Sequence, residues 1–272
     1  MSPAEPARAL DPAAGEPLLL RRDEGGVATL TLNRPARYNP LSEAMLDALQ
    51  AALDAIAADE AVRVVVLASR GKAFCAGHDL KEMRARPEQA YYEWLFRKCS
   101  GVMLSLQQLP VPVIARVQGL ATAAGCQLVA AADLAVAAST AQFATSGIRV
   151  GLFCMTPGVA VSRAVSRKRS AEMLMTGEFI DAATALEWGL INRVVEEAAL
   201  DPAVAELAAH ILDKSRAAIA AGKRIFYRQL QMGVEGAYDY AATEMAANMM
   251  FADAQEGIDA FLARRPPVGR HR

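Results

Sequence analysis

The chain has 272 residues, 53% apolar and 6% aromatic, and Lys+Arg against Asp+Glu is 29 to 30, a net charge of −1. That length can bury a large core, as one big domain or one domain with a smaller appendage. The balanced charge gives no electrostatic pull toward nucleic acid or an anionic membrane, and so few aromatics leave little base-stacking surface.

Residues 1–17 are rich in Ala and Pro, with Arg8 set against Glu5, Asp11 and Glu16. They lack the apolar stretch of a signal peptide and the Arg-rich, acid-poor character of a transit peptide, so the expectation is a flexible tail on a cytoplasmic protein. No apolar run reaches about 18 residues, so no membrane span is expected. Cys75, Cys99, Cys126 and Cys154 show no close CxxC spacing. Neither a zinc site nor a disulfide framework is expected from them.

Residues 18–20 and 27–32 are β-prone runs around Gly25-Gly26 and predict a hairpin. Ser42 is placed to cap a helix whose apolar stripe is Met45, Leu49, Ala52, Leu53 and Ile56, with Leu41 and Leu46 at the staple positions. Residues 62–67, apolar apart from Arg63 and rich in β-branched residues, read as a strand buried on both faces. Residues 81–88 are charged and read as a mobile stretch, followed by a helix over about 87–109 that Pro110 and Pro112 break. Residues 113–117 and 134–137 are further buried strands, and 123–132 a short Ala-rich helix. Strand, turn and helix thus recur at intervals of roughly 50 residues, which predicts an α/β fold with covered sheets. Residues 143–158 read as a Gly-punctuated loop. Beyond it the chain is mostly helical. Asp181 starts a helix that stops at Gly189, and residues 192–195 are a short strand. Asp201-Pro202 predicts an N-cap with Pro at the first helical position. Three more helices cover about 216–232, 235–248 and 254–263, and Met245, Met249, Met250 and Phe251 form a soft apolar face.

Two stretches stand out, GKAFCAGHDL at 71–80 and GLATAAGCQL at 119–128. Each is a small-residue turn that follows an apolar strand and leads to a helix. Small residues let a ligand approach the backbone, and a helix start offers unpaired N–H donors with partial positive charge. Facing one another, the two turns would aim two N–H groups at one oxygen, the geometry of an oxyanion hole.

These stretches, with LNRP at 32–35, NPL at 39–41, PVIARVQG at 112–119, MTG at 175–177 and ALEWGL at 185–190, resemble the crotonase, or enoyl-CoA hydratase/isomerase, superfamily. The similarity covers about residues 18–265, and the run VGLFCMTPGVA at 150–160 is most similar to its enoyl-CoA hydratase domain-containing protein 3 group. The resemblance implies a crotonase-like spiral of ββα units with a helical C-terminal region: a tail at 1–17, a core at 18–200 and a trimerisation region at 201–272. It implies a homotrimer, with a dimer of trimers as the larger form, and a CoA thioester as ligand, coenzyme A being part of the substrate and not a permanent cofactor. The oxyanion-hole donors would be the N–H groups of His78 and Ala124. CoA would lie along Arg34, Arg37 and Tyr38 and along Ala76, Gly77, Asp79 and Leu80, with adenine near Ala76, Lys81 at a phosphate and Arg264 of a neighbouring subunit near the CoA phosphates. For each cation a solvated surface charge is the competing use.

The resemblance also implies a departure. The two glutamates of the family's hydratases fall at Gln127 and Gly147, and neither residue transfers a proton. Losing one such carboxylate typically costs about 10²–10⁴-fold in rate. Three readings follow: a crotonase-type acyl-CoA enzyme with a non-standard proton-transfer group, a weak or inactive acyl-CoA binder, and an RNA-binding relative, the last disfavoured by charge and aromatic content. The His78 ring either does chemistry or packs. Asp79 is expected to cap the following helix. Cys126, Cys154, Thr145, Ser146, Arg149 and Thr156 are candidates for the acyl pocket or plain structural residues.

Overall fold

A computed structural model describes residues 15–268. Strands β1 (Leu19–Glu24) and β2 (Val27–Leu32) form the hairpin around Gly25-Gly26. Helix α1 (Glu43–Ala57) follows, and Ser42 Oγ accepts from Met45 N–H at 3.2 Å. Met45, Leu46, Leu49, Leu53 and Ile56 are buried, the stripe that the 3.6-residue period requires. The chain then runs through β3 (Val64–Ser69), β4 (Ala73–Cys75), α2 (Leu80–Ala85), α3 (Gln89–Gln108), β5 (Val113–Val117), β6 (Leu120–Thr122), α4 (Ala124–Ala131), β7 (Leu134–Ala138) and β8 (Gln142–Ala144). A 3₁₀ turn at Ser146–Val150 leads to α5 (Met155–Ala164), α6 (Arg167–Thr176), β9 (Ile180–Asp181), α7 (Ala182–Trp188) and β10 (Arg193–Val195). Helices α8 (Leu200–Leu212), α9 (Arg216–Gln229), α10 (Val234–Met249) and α11 (Ala252–Leu262) complete it.

The strands sort into two sheets. The larger has the order β1-β2-β3-β5-β7-β10 and is parallel after the hairpin. The smaller has the order β4-β6-β8-β9, parallel except for its last pair. Each of β3-β4, β5-β6 and β7-β8 gives its first strand to one sheet and its second to the other before the chain enters helix. This is the ββα spiral. The repeat is unequal, beginning at Val64, Val113 and Leu134, so an even spacing does not hold; the long α2–α3 excursion sits in the first unit alone.

The main core lies between the sheets and α1, α3 and α4. Val64, Val66, Ala68, Ile114 and Val136 point to the opposite face, where Leu200, Val204 and Ala208 of α8 cover them. Strand β3 is accordingly buried at every residue. Each fully buried Val, Leu or Ile side chain contributes about 1.5–3 kcal/mol.

Three sequence expectations need correction. Residues 81–88 are not a mobile stretch: Asp79 Oδ1 accepts from Lys81 and Glu82 N–H and starts α2. The expected loop at 143–158 contains part of β8 and the first turn of α5. Helix α8 begins at Leu200, not after Asp201, because a 3₁₀ turn at Glu197–Ala199 runs straight into it. Of the expected flexible tail, residues 1–14 lie outside the described residues, while Asn33 Nδ2 donates to Pro17 O at 2.9 Å. Among the described residues, no helix is long and apolar enough to cross a membrane.

Candidate active site

Strands β4 and β6 run parallel and deliver the two small-residue turns side by side. A Cβ on Gly119 would lie 2.0 Å from Lys72 O, and one on Gly125 would lie 2.0 Å from Cys75 O. Only glycine allows these approaches. The smallness of both turns therefore serves strand-to-strand and strand-to-helix packing more than room for a ligand. Gly77 has φ +93°, and its missing Cβ would lie 2.9 Å from Ala123 Cβ. The turns do face one another.

Ala124 opens α4, so its N–H has no acceptor one turn earlier in the helix. Ala123, just before it, has φ +52° and ψ −119°. The left-handed residue that positions the turn is thus Ala123, while Ala124 is helical and tolerates its methyl. On the facing turn, Gly77 O accepts from Leu41 N–H at 2.8 Å and Asp79 caps α2, which holds His78 between two fixed points. Among the described residues, neither the His78 nor the Ala124 N–H donates to a backbone acceptor.

Both residues line a cleft of about 770 Å³. Its walls are mostly apolar, lined by Tyr38, Pro40, Leu80, Met83, Phe96, Leu152, Phe153, Cys154 and Met155 among others. Arg37 and Lys81 supply positive charge, and Asp79 is the only carboxylate residue of the lining. Asp79 is fully engaged. Its Oδ1 caps α2, and its Oδ2 accepts from Arg37 Nη2 at 2.8 Å. Ser146 Oγ lies 2.7 Å from Thr122 Oγ1.

The His78 ring is packed. It meets Phe96 edge-on with centroids 5.5 Å apart, and Nδ1 is 3.3 Å from Leu41 O. That contact assigns the proton to Nδ1 and leaves the buried Nε2 without a partner. Burial lowers the ring's pKa, outweighing the bond to Leu41, so the imidazole is neutral.

The cleft brings together Arg37, Ala76, His78, Asp79, Leu80, Lys81, Ala124 and Gly147. Gly77 is not among its lining residues. Arg34 stands outside the lining, with its N–H donating to Asn39 Oδ1 at 2.8 Å. Gln127 is buried, 3% exposed, one turn into α4, and its Oε1 is unpartnered. Arg264 sits past α11 at φ +53°, away from the lining of this protomer. Gly147 is enclosed: a Cβ there would lie 2.4 Å from Leu152 O and 2.8 Å from Cys154 Sγ. Of the other candidates, Ser146, Cys154 and Thr156 line the cleft. Thr145 instead donates to Met173 O at 2.7 Å, and Arg149 lies over Phe179. Burial pushes the Cys126 thiol up to about 12, and Cys154 is also raised by burial, so neither is a thiolate near neutral pH.

Sequence reasoning missed Phe96 and Asn39. Asn39 is buried and fully used: Oδ1 takes Arg34 N–H, and Nδ2 donates to Arg70 O and Ala73 O, each at 2.8 Å. Its φ of +52° is the signal for a turn-forming Asn. It locks the Arg34–Tyr38 turn onto β4.

A family model described as Enoyl-CoA hydratase/isomerase matches residues 22–271. Rat enoyl-CoA hydratase domain-containing protein 3, named as mitochondrial, is 44% identical over 265 residues, 97% of this chain and 88% of that protein. The crystal structure of the human enoyl-CoA hydratase domain-containing protein 3 superposes with a TM-score of 0.90 at 44% identity, covering 93% of this chain and all of that one. A Mycobacterium smegmatis structure titled enoyl-CoA hydratase gives 0.91 at 61% identity, covering 93% and 98%. The cytoplasmic expectation falls against the rat and human relatives, both named mitochondrial. It rested on the lack of a leader pattern in residues 1–17, and a missing pattern places nothing.

Proposed function

The chain belongs to the enoyl-CoA hydratase/isomerase family, and on that premise we propose that it holds an acyl-CoA thioester with its carbonyl oxygen between the N–H groups of His78 and Ala124. Coenzyme A enters and leaves with the substrate. Arg37 and Lys81 lie on the lining where the anionic end of CoA would pass, beside Ala76 and Leu80. The apolar lining residues Val150, Leu152, Phe153 and Met155 would face the acyl group. In an assembly of three chains, or two such trimers, Arg264 of one protomer would reach the CoA phosphates of another, with residues 201–272 as the trimerising part and 18–200 as the spiral core.

The observation that carries this reading is the pair of facing turns with two N–H groups that have no backbone acceptor. Donors of that kind stabilise negative charge developing on a thioester oxygen in an enolate or a tetrahedral adduct. They fix the ligand class better than the reaction. At the positions of the family's hydratase glutamates stand Gln127 and Gly147, and the single lining carboxylate, Asp79, is tied to Arg37 and α2. With no lining carboxylate free to activate water, hydration should be slower by about 10²–10⁴-fold for each missing carboxylate.

The engaged Asp79 favours a second reading, an acyl-CoA binder with little or no turnover. Calorimetric titration with crotonyl-CoA and a steady-state hydration assay separate the two. Micromolar binding with hydration far below that of a two-glutamate enzyme is expected. Rapid hydration by the wild-type chain would refute the carboxylate argument, and an absence of binding would refute the ligand class.

A further inference from the structure

Ala123 carries a side chain where the backbone favours none. At φ +52°, ψ −119° a Cβ is crowded by its own peptide, whereas glycine adopts the conformation freely. Three contacts hold Ala123 there. Its N–H donates to Ala144 O at 3.0 Å, at the end of β8. Its carbonyl accepts from Gln127 N–H at 3.1 Å, in the first turn of α4. Its methyl abuts Gly77, whose absent Cβ would lie 2.9 Å from Ala123 Cβ and 3.3 Å from Ala124 N. The peptide plane between Ala123 and Ala124 carries the Ala124 N–H, so the torsions of Ala123 set where that donor points. The methyl sets how closely the Gly77 peptide, and with it His78, can approach.

We propose that Ala123 is a positioning residue, whose strained backbone and methyl group fix the angle and spacing of the Ala124 and His78 N–H donors. Ala123 is itself on the cleft lining, and the role proposed for it acts through its neighbours. The inference rests on the reading that a thioester carbonyl sits between those donors. Donors held in advance polarise a carbonyl more than donors that must reorganise to reach it. Replacing Ala123 with glycine removes the strain and the spacer together.

The test uses the full chain with acetyl-CoA labelled at the carbonyl carbon, and S-ethyl-CoA, which lacks the carbonyl oxygen. Difference infrared spectroscopy reads the carbonyl stretch, and titration reads the preference for acetyl-CoA over S-ethyl-CoA. The wild-type chain is expected to lower the stretch and prefer the thioester. Ala123→Gly is expected to melt no lower than wild type, to lose most of the frequency shift and to lose the preference several-fold. Ala123→Ser keeps a Cβ and should retain both. An unchanged shift and preference in Ala123→Gly would overturn the positioning role while leaving the thioester reading intact. So would a lower melting temperature in that variant, or a serine variant that behaves like glycine. A wild-type chain that binds no acetyl-CoA, or binds it with no shift, would instead remove the thioester reading and the positioning role with it.

Discussion

Arg37 and Asp79 form a 2.8 Å ion pair on the wall of the cleft, with Asp79 only 7% exposed. The pair joins the turn after β2 to the start of α2, and the other oxygen of the same carboxylate caps that helix. One side chain thus fixes the segment just after His78, with each of its oxygens already in a hydrogen bond.

Asp79→Ala should therefore act mainly on stability. Loss of a cap and of a partly exposed ion pair is worth about 1–3 kcal/mol together, read as a shift in denaturant midpoint. Asp79→Asn keeps an acceptor for the cap and should cost about 1 kcal/mol or less. A stable Asn variant that lost turnover a hundredfold or more, on the scale of about 10²–10⁴ for a lost proton-transfer group, would make Asp79 catalytic after all.

Gly147→Glu with Gln127→Glu should not create a hydratase. A Cβ at 147 would lie 2.4 Å from Leu152 O, and Leu152 N–H closes the loop onto Gly147 O at 2.9 Å. The new side chain must displace backbone, at about 1–3 kcal/mol or more. Gln127 is buried with an unpartnered Oε1, so a glutamate there gains no cation and stays protonated. Crotonyl-CoA hydration by the double variant is expected to stay at the wild-type level, with a lowered melting temperature. A large gain in rate would show that the loop at 147–154 yields easily.

His78 should impose a pH dependence on stability. Burial holds its pKa below the ordinary 6.5. As pH falls, the unfolded chain takes up the proton first, so unfolding binds protons and stability drops. The contribution is complete above about 6.5 and is lost as pH falls from there toward the lower folded value. Denaturant melts of the wild type and of His78→Leu at about pH 7.5 and about pH 5.5 isolate it. The wild type should lose more stability between the two than the variant does. Equal losses would mean that the ring is not buried neutral.

How much of this was legible in the sequence follows from the range over which each feature is determined. The α1 stripe and strand β3 were readable because periodicity and an unbroken β-branched run are local signals. Strands β4, β6 and β8 were not, because three residues set no alternation; their partners, Leu120 opposite Ala73 and Gln142 opposite Leu120, come from elsewhere in the chain. The two small-residue turns were legible as a facing pair, while the naming of His78 and Ala124 as donors came from the family resemblance. The strain at Ala123, the enclosure of Gly147 by Leu152 and the arrival of Phe96 at His78 depend on distant segments meeting.

Lys223 shows the same limit most sharply, for in sequence it looks like an ordinary surface lysine of α9. It is 8% exposed. Its Nζ donates to Leu106 O at 2.8 Å, Val111 O at 2.9 Å and Asp133 Oδ2 at 2.6 Å. Asp133 also accepts from Val113 N–H at 2.7 Å and from Tyr227 OH at 2.8 Å. Burial lowers the lysine's pKa while the Asp133 charge opposes it. The cluster pins α9 to the end of α3 and to the starts of β5 and β7. Lys223→Met would leave two carbonyls unpaired and the half-buried Asp133 carboxylate without its cation, a loss of about 3 kcal/mol. Tyr227→Phe removes one donor to that carboxylate, about 1.5–3 kcal/mol. Because both act on one carboxylate, the double variant should cost less than the sum of the two. Denaturant midpoints of the three proteins measure this, and strict additivity would mean that Lys223 and Tyr227 hold α9 independently.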